Sequence, residues 1–327
     1  ISKHMYSIES ETFAFSSLVT IHFEEDSQLE MIHLHAFYNT KMHEIHLPSS
    51  LIHINPEAFT RTTIKSVFIG EGMRTQVIDS LRHFYHLEEI IIDQSHAYYM
   101  SKEGFVYSKD ESELILVPRN VNQASFHIED DVLDIGPFAF YQHRNIKGLT
   151  ISPEHPTLSI KDNVVFSKDQ TVLVHYSGFL NDMNYVVPEG TIVLGSKSFY
   201  EAFVFILELP HSLEIMAEEA LMNSNIWRIF FKPDGQLKTI RKGAISGTRV
   251  MDLNLPGSIE LIESFAIFNN DHLLKVYIPD HIDVIESNAF SQWGYVEIHT
   301  NASAPKDTWF FIGDEGIIFL TERQPWA

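Results

Sequence analysis

The amino-acid sequence predicts an α/β-type repeat solenoid, a fold in which similar short segments of chain stack on one another. The main reason is a hexamer that begins with an aliphatic residue and closes on Phe or another large apolar residue. Ten copies close 22 to 24 residues apart, except across two intervals of 59 residues. This period is typical of repeat architectures. The closing residues are Phe13, Phe37, Phe59, Leu81, Phe140, Phe199, Leu221, Ile245, Ile267 and Phe290.

A second pattern, aliphatic-x-x-aliphatic-x-aliphatic and often followed by Pro, separates the hexamers. Good copies are MHEIHLP at 42–48, VFILELP at 204–210, VMDLNLP at 250–256 and LLKVYIP at 273–279. Residues two apart face the same side of a strand, while the residue between them faces the other side. Pro lacks an N–H and stops the strand. Each copy therefore predicts one short strand.

Together the two patterns predict about ten repeats of 22–24 residues. Stacked strands are expected to form a parallel β-sheet on the concave face of the solenoid. The hexamers are expected to pack as short helical or 3₁₀ turns on the opposite wall, where Ala permits close approach. The interior between the two walls is expected to hold a column of phenylalanines, namely Phe13, Phe37, Phe59, Phe140, Phe199 and Phe290.

The two long intervals contain nearly the same segment, FVYSKDESELILV at 105–117 and VVFSKDQTVLVHY at 164–176. Both alternate apolar or aromatic residues around a polar SKD motif, which is typical of a β-hairpin. We therefore expect two β-hairpin inserts, at about 93–128 and 152–187, each followed by a return strand. Insertions in solenoids map to one face, which often binds a partner. The alternative is that they only widen the apolar column.

The two repeating patterns and the SKD hairpins resemble the BspA-like (treponemal-type) leucine-rich repeat family of bacterial surface proteins. The resemblance covers roughly residues 1 to 300. It implies a leucine-rich repeat solenoid, export to the cell surface, and adhesion to host proteins or other cells, without catalysis. The chain departs from the family pattern at Gly70 and Gln76, and Asn163 stands where the first hairpin has Gly104.

The predicted domain organisation is a leucine-rich repeat solenoid over 1–300 and a C-terminal capping segment over 301–327. The repeat pattern fails after Thr300, and Trp309, Phe310 and Phe311 are expected to close the apolar column. Partner binding by these three residues is the alternative. Ile1 falls inside a repeat, so we expect further repeats or a cap upstream.

The composition disfavours several classes of partner. The chain has 44 Asp and Glu against 23 Lys and Arg, a formal charge of −21, which disfavours binding to nucleic acid and to anionic membranes. It contains no Cys, which excludes disulfides and thiolate metal sites. No apolar run reaches the roughly 18 residues that a membrane span requires, so membrane insertion is not expected.

No catalytic motif stands out, and we expect neither an enzyme nor a cofactor. The sequence has no G-x-S-x-G, H-E-x-x-H, phosphate-binding glycine loop or EF-hand loop. His33, His35, His43, His46 and His53 lie close together in sequence, and His22 should neighbour His46 across repeats. A metal-binding pair is conceivable there, but no regular carboxylate partner accompanies it, so we assign no metal site.

Function is expected on the outward face of the sheet, at the residue between the second and third aliphatic of each strand. Exposed aromatics at strand spacing suit a protein or glycan partner. The alternative is that such residues simply favour a sheet. The ladder is His22, His46, Phe68, Ile91, Thr150, Glu208, Phe230, Asn254, Tyr277 and His299. The candidate partner-binding residues are His22, His46, Phe68, Phe230, Tyr277 and His299.

Two functional hypotheses follow. The first is a non-enzymatic extracellular recognition or adhesion module that binds protein partners through the concave sheet and the hairpin edge. The second is a carbohydrate-binding module attached to an enzyme or an anchor elsewhere in a longer polypeptide.

Overall fold

The structure is a computed structural model that describes residues 1–143, 145–279 and 281–290, together with the backbone of three strands beyond them. The chain divides into two compact units, Ile1–Glu154 and His155–Ala327. The predicted capping segment 301–327 lies outside the described residues except for the backbone of Phe310–Ile312 and Ile317–Leu320.

The first unit contains twelve described strands, one short α-helix and one 3₁₀ turn. The helix α1 spans Thr75–Ser80 and the 3₁₀ turn spans Leu81–His83. The strands are β1 (Ser7–Ile8), β2 (Met31–Ile32), β3 (Glu44–Leu47), β4 (His53–Ile54), β5 (Ser66–Ile69), β6 (Glu89–Ile92), β7 (Tyr99–Lys102), β8 (Phe105–Ser108), β9 (Glu113–Leu116), β10 (Ser125–Ile128), β11 (Asp134–Ile135) and β12 (Gly148–Ile151).

The second unit is built from strands in its described part. They are β13 (Leu158–Lys161), β14 (Val164–Ser167), β15 (Val172–Tyr176), β16 (Asn184–Val186), β17 (Val193–Leu194), β18 (Ile206–Glu208), β19 (Ile215–Met216), β20 (Arg228–Phe230), β21 (Thr239–Ile240), β22 (Asp252–Asn254), β23 (Leu261–Ile262), β24 (Lys275–Tyr277), β25 (Val284–Ile285), β26 (Glu297–His299), β27 (Phe310–Ile312) and β28 (Ile317–Leu320).

Each ordinary repeat contributes two strands, one to each of two different parallel sheets. The aliphatic-x-x-aliphatic-x-aliphatic pattern forms the longer strands, which pair as β3-β5-β6, β10-β12, β16-β18-β20 and β22-β24-β26. We call these the long-strand sheets. The first residue of a hexamer and the residue before it form a two-residue strand, and these strands pair as β1-β2-β4 in one unit and β17-β19-β21-β23-β25 in the other. The fold is therefore a β-solenoid of stacked parallel strands.

The structure has very little helix, and within the described residues it is confined to α1 and the 3₁₀ turn that follows it, at the predicted hexamer 76–81. The other hexamers form turns that are not assigned as helix. The reason is a pair of left-handed residues four positions apart, such as Lys197 (φ 56°) and Glu201 (φ 52°). A left-handed residue interrupts a helical run. Between them, the Phe199 N–H donates to Ala220 O of the next repeat at 2.7 Å, so the backbone bonds across repeats.

Gly247 occupies one of these left-handed positions, with φ 64°. A Cβ there would collide with the Asn223 side chain of the preceding repeat. We expect Gly247→Ala to lower the free energy of unfolding by about 1–2 kcal/mol, because this is the conformational cost of a non-glycine residue in the left-handed region. The matched control is Gly257→Ala, where the nearest atom to a new Cβ is His281 Cε1 at 3.9 Å. Urea denaturation of both variants measures the difference, and equal destabilisation would contradict the prediction.

The interior of the first unit holds part of the predicted aromatic stack. In the first unit Phe37 stacks on Phe13 at 5.2 Å and on Phe59 at 4.9 Å between ring centroids. The next ring in this stack is Phe84, 4.8 Å from Phe59, rather than a side chain at position 81. Leu81 is fully buried but lies in the 3₁₀ turn. The pattern therefore misplaces the closing residue of this repeat.

Each predicted insert contains three antiparallel strands, and the last two, β8 with β9 and β14 with β15, flank the SKD motif. β7 pairs antiparallel with β8, and β13 pairs antiparallel with β14. β9 and β15 then pair parallel with β11 and β17, as ordinary repeats do. In the second unit the Tyr176 N–H donates to Ser198 O at 2.8 Å, and its ring stacks 4.9 Å from Phe199. Tyr176 thus occupies the position of a closing phenylalanine.

The SKD motifs form the same hydrogen-bonded turn twice. The Asp110 carboxylate accepts the Ser108 hydroxyl at 2.7 Å and the Ser112 N–H at 3.2 Å. The Asp169 carboxylate accepts the Ser167 hydroxyl at 2.7 Å and a backbone N–H at 3.1 Å. The serine hydrogen bond is the largest of the interactions that lower the pKa of each aspartate. These contacts are those of turn-forming residues.

Candidate functional surface

The outward face of the long-strand sheets carries the predicted ladder residues. β3 alternates exposed and buried residues, so His46 points outward while Ile45 and Leu47 are buried. His46 pairs with Phe68, and their rings stack at 4.0 Å with an interplanar angle of 4°. Ile91 follows in register on β6 and is 38% exposed. The parallel pairing therefore brings these three predicted residues side by side.

The remaining ladder positions of the first unit differ from the prediction. His22 is exposed but lies in a segment that is not assigned as a strand. Thr150 lies on β12 and pairs with His127 of β10, whose ring nitrogen Nδ1 is 3.1 Å from the threonine hydroxyl. His127 was not among the predicted ladder residues, although the alternating SFHI segment at 125–128 could have identified it.

The second unit carries the other predicted residues on its long strands. Glu208 pairs with Phe230, and Asn254 pairs with Tyr277. Phe230 is 49% exposed and Tyr277 is 39% exposed. The backbone of His299 pairs in register with Tyr277, while its side chain lies outside the described residues.

A row of apolar residues that the sequence analysis missed borders this face in the second unit. Each member comes directly before one of five consecutive long strands, β16, β18, β20, β22 and β24. Backbone hydrogen bonds link neighbouring members of the row, for example from the Trp227 N–H to Phe205 O and from the Leu274 N–H to Met251 O, both at 2.8 Å. Phe205 is half-buried, and the other four are 40–70% exposed. We call this row the apolar ridge; its members are Met183, Phe205, Trp227, Met251 and Leu274.

In the first unit, the residue directly before each long strand is mostly charged or polar. The apolar ridge is therefore a property of the second unit. The residues directly before β3, β5, β6, β10 and β12 are His43, Lys65, Glu88, Ala124 and Lys147. Lys65 and Glu88 form an ion pair at 2.9 Å. This difference between the two units could have been found in the sequence by aligning all repeats and comparing the residue directly before each long strand.

The neighbouring histidines of the first unit each have their own contacts. His35 lies 3.0 Å from a Glu57 carboxylate oxygen, and the closest His33 and Glu9 atoms are 4.0 Å apart. Within the described part of the chain, no three His, Asp or Glu side chains come together as a group that could hold a metal ion. Neither of the two described helices has the length and apolar character that crossing a membrane takes.

The family model that matches the chain is the BspA-type leucine-rich repeat region, with six copies over residues 1–111 and 175–296. Similar solved structures include the pneumococcal vaccine antigen PcpA, with 18% identity, a TM-score of 0.48, and coverage of 94% of this chain and 69% of that one. A leucine-rich cell surface protein from Faecalibacterium prausnitzii has 17% identity, a TM-score of 0.48, and coverage of 92% and 78%.

A leucine-rich repeat protein from Eubacterium ventriosum has 15% identity, a TM-score of 0.43, and coverage of 97% of this chain and 79% of that one. No curated protein matches the chain.

Proposed function

The chain belongs to the BspA-type leucine-rich repeat family, and from this premise we propose that it is a non-enzymatic extracellular recognition module of a bacterial cell surface. It binds protein partners of host matrix or of other cells, through the outward face of its long-strand sheets and the edge of its hairpins. The family is one of repeat modules for protein interaction, which supports this class of function. The extracellular location and the adhesive role are proposed because the chain belongs to this family.

The observation that carries the proposal is the exposed apolar surface of the second unit. Phe230 and Tyr277 stand outward from the long strands, and Trp227 of the apolar ridge is 40% exposed. Exposed aromatic side chains are the commonest anchors at protein interfaces. Apolar side chains cost little to expose singly, but a contiguous row marks an interaction surface. Five ridge positions in consecutive repeats form such a row.

Strand pairing also supports rigid presentation of these anchors. Tyr277 is held by parallel pairing of β24 with β22 on one side and β26 on the other. The backbone of a paired strand is already ordered before binding. Binding through its side chains therefore carries a smaller entropic cost. In unit 1 the stacked rings of His46 and Phe68 are held in the same way.

The hairpins add a second part to the proposed surface. β13 is the outer strand of an eight-stranded sheet in the second unit, and an outer strand offers hydrogen-bonding groups to a partner. In the first unit β7 is the outer strand of the sheet β11-β9-β8-β7, and Tyr98, just before it, is 72% exposed. An exposed aromatic beside a sheet edge suits a protein partner.

The alternative is carbohydrate binding by a module attached to an enzyme or anchor elsewhere in a longer polypeptide. The Trp227 ring stacks on His272 with an interplanar angle of 12° and a centroid distance of 6.1 Å. Flat exposed rings of this kind can stack on sugar faces. A glycan array distinguishes the two functions, because only the alternative predicts hits that Trp227→Ala removes.

We expect the triple variant Phe68→Ala, Phe230→Ala, Tyr277→Ala to lose binding at least about tenfold while keeping its melting temperature within about 3 °C. Losing a contacting anchor typically costs 1 kcal/mol or more. Stability is expected to change little because Phe230 and Tyr277 are exposed and Phe68 is half-buried on the outward side of its strand. Surface plasmon resonance against an array of purified extracellular matrix and cell-surface proteins measures binding, and differential scanning calorimetry measures stability.

The matched control is Phe15→Ala, because Phe15 is 72% exposed and does not belong to the ladder. It is expected to bind as the parent protein does. Unchanged binding by the triple variant would exclude this face as the binding surface. A large loss of stability would mean that the three rings contribute to packing instead.

A further inference from the structure

Two neighbouring repeats of the first unit separate along part of their length. Residues 20–24 occupy the long-strand position before β3, yet no backbone hydrogen bond joins them to β3 among the residues that the structure describes. The repeats do bond on either side of this opening, from the Lys41 N–H to Leu18 O and from the Ile52 N–H to Glu30 O, both at 2.9 Å. The opening is a groove of about 640 Å³ between residues 20–27 and 44–50.

One wall of the groove is a strand-like edge with unpaired backbone groups. The Ile1 amino group donates to His22 O at 2.6 Å, and the Glu24 N–H donates to Ile1 O at 3.1 Å. His22 and Glu24 thus bond on the side away from β3. Because bonding directions alternate along an extended chain, the N–H and C=O groups of Ile21 and Phe23 point into the groove.

The opposite wall is the free edge of β3. On its other side β3 pairs with β5, and His43 O accepts the Lys65 N–H at 2.7 Å. By the same alternation, residues 43, 45 and 47 bond to β5, and the N–H and C=O groups of Glu44 and His46 face the groove. The groove therefore lies between two unpaired strand edges, and unpaired edges are templates for an added strand.

The floor of the groove is apolar and incompletely covered. Ile45 and Leu47 are 2% and 4% exposed, as expected for inward-facing strand residues. Their counterparts Ile21 and Phe23 are only half-buried, although both pack against the core. Additional apolar side chains placed in the groove would complete the cover of Ile21 and Phe23.

The rim of the groove is acidic. Glu24, Glu25, Asp26 and Glu44 line it, and all four are exposed. None of them forms an ion pair with another residue in the described part of the chain. The Glu24 carboxylate accepts the Lys3 backbone N–H at 3.0 Å. A ligand with basic side chains at the rim would match this charge.

We propose that this groove binds an extended basic peptide segment of another protein as an added β-strand. The peptide completes the sheet through hydrogen bonds to both walls, with alternate apolar side chains on the floor and Lys or Arg side chains at the acidic rim. The volume lies within the range of ligand sites, about 300–1,000 Å³. This site uses backbone edges of the first unit and is independent of the apolar surface of the second.

The test uses the full chain and a seven-residue capped peptide of alternating lysine and valine. We expect calorimetry to detect binding, and hydrogen exchange to slow at least about tenfold in the backbone around residues 21–23 and 44–46 on saturation. Peptide with N-methyl groups on alternate backbone nitrogens is expected not to bind, because it cannot complete the strand pairing. The alternating glutamate and valine peptide is expected not to bind either.

A charge variant tests the rim. Glu24→Gln with Glu44→Gln is expected to weaken binding about fivefold, since two exposed ion pairs are lost. The matched control is Glu71→Gln with Glu103→Gln, two exposed carboxylates of the same unit outside the groove, and it is expected to bind as the parent does.

Four results would overturn the proposal. They are absence of lysine–valine peptide binding, equal binding of the N-methylated peptide, equal weakening by both charge variants, and protection of these amides in the free protein. The last result would mean that a second copy or another segment of the same chain already fills the groove.

Discussion

Phe199→Ala is expected to lower the free energy of unfolding of the second unit by about 3–5 kcal/mol, the usual cost of truncating a buried phenylalanine. Phe199 is fully buried, and its ring stacks on Tyr176 at 4.9 Å. Its N–H also bonds across to the next repeat. The cavity left by the substitution would therefore lie where two repeats meet, and the loss includes the packing between them.

Urea denaturation of the parent and the variant measures this loss. The matched control is Phe230→Ala, the same substitution in the same unit at a side chain that is 49% exposed. It is expected to change the free energy of unfolding by no more than about 0.5 kcal/mol. If both variants lost stability equally, the assignment of Phe199 to the interior and Phe230 to the outward face would be wrong.

The second large effect expected is a loss of stability in mild acid. Burial is the main cause that lowers the pKa of His143 and of His175 from 6.5 to about 4. The Arg119 charge lowers the pKa of His143 further. The two histidines are 6% and 4% exposed, and His143 Nε2 lies 2.9 Å from Val117 O, so this nitrogen donates in the neutral ring.

The direction of the effect follows from proton binding. Between pH 6.5 and 4 the unfolded chain binds a proton at each of these histidines and the folded chain does not, so stability rises with pH in this window. The stability that the folded protein gains from keeping these two rings neutral is fully present above pH 6.5 and is lost as the pH falls towards 4. A shift of this size corresponds to about 3 kcal/mol for each histidine.

His175→Leu is expected to reduce the slope of unfolding free energy against pH between 6.5 and 4, whatever its effect on stability at pH 7. Urea denaturation at several pH values in this window measures the slope. His53→Leu, at an exposed position, is the control and is expected to keep the parent slope. An unchanged slope in His175→Leu would contradict the prediction, because it would mean that this ring binds its proton equally in the folded and unfolded chains over this range.

Much of the solenoid could be predicted because the burial pattern repeats. The long strands occur at the predicted aliphatic-x-x-aliphatic-x-aliphatic segments, and the interior rings of Phe37, Phe59, Phe140 and Phe199 occur at the predicted closing positions. The predicted helical turns are not confirmed beyond α1, because a hexamer pattern shows which residues are buried but not which backbone angles they adopt. Left-handed residues such as Lys197 and Glu219 are not recognisable from residue type.

The candidate surface was predictable only in part. Phe68, Phe230 and Tyr277 could be placed on the outward face because strand side chains alternate. The apolar ridge was missed because its residues lie just outside the strands, where no alternation rule applies. Whether any of these residues binds a partner stays a prediction.

The sequence by itself determined the repeat length, the parallel stacking of strands and the identity of most interior residues. These properties depend on a pattern of apolar residues that recurs in each repeat. Only the tertiary structure decided that the hexamers form bonded turns, that Phe84 rather than Leu81 continues the aromatic stack, and that the repeats part between residues 20–24 and β3. Those features depend on backbone angles, backbone hydrogen bonds and the placement of individual rings, and the repeating pattern of residue types does not specify them.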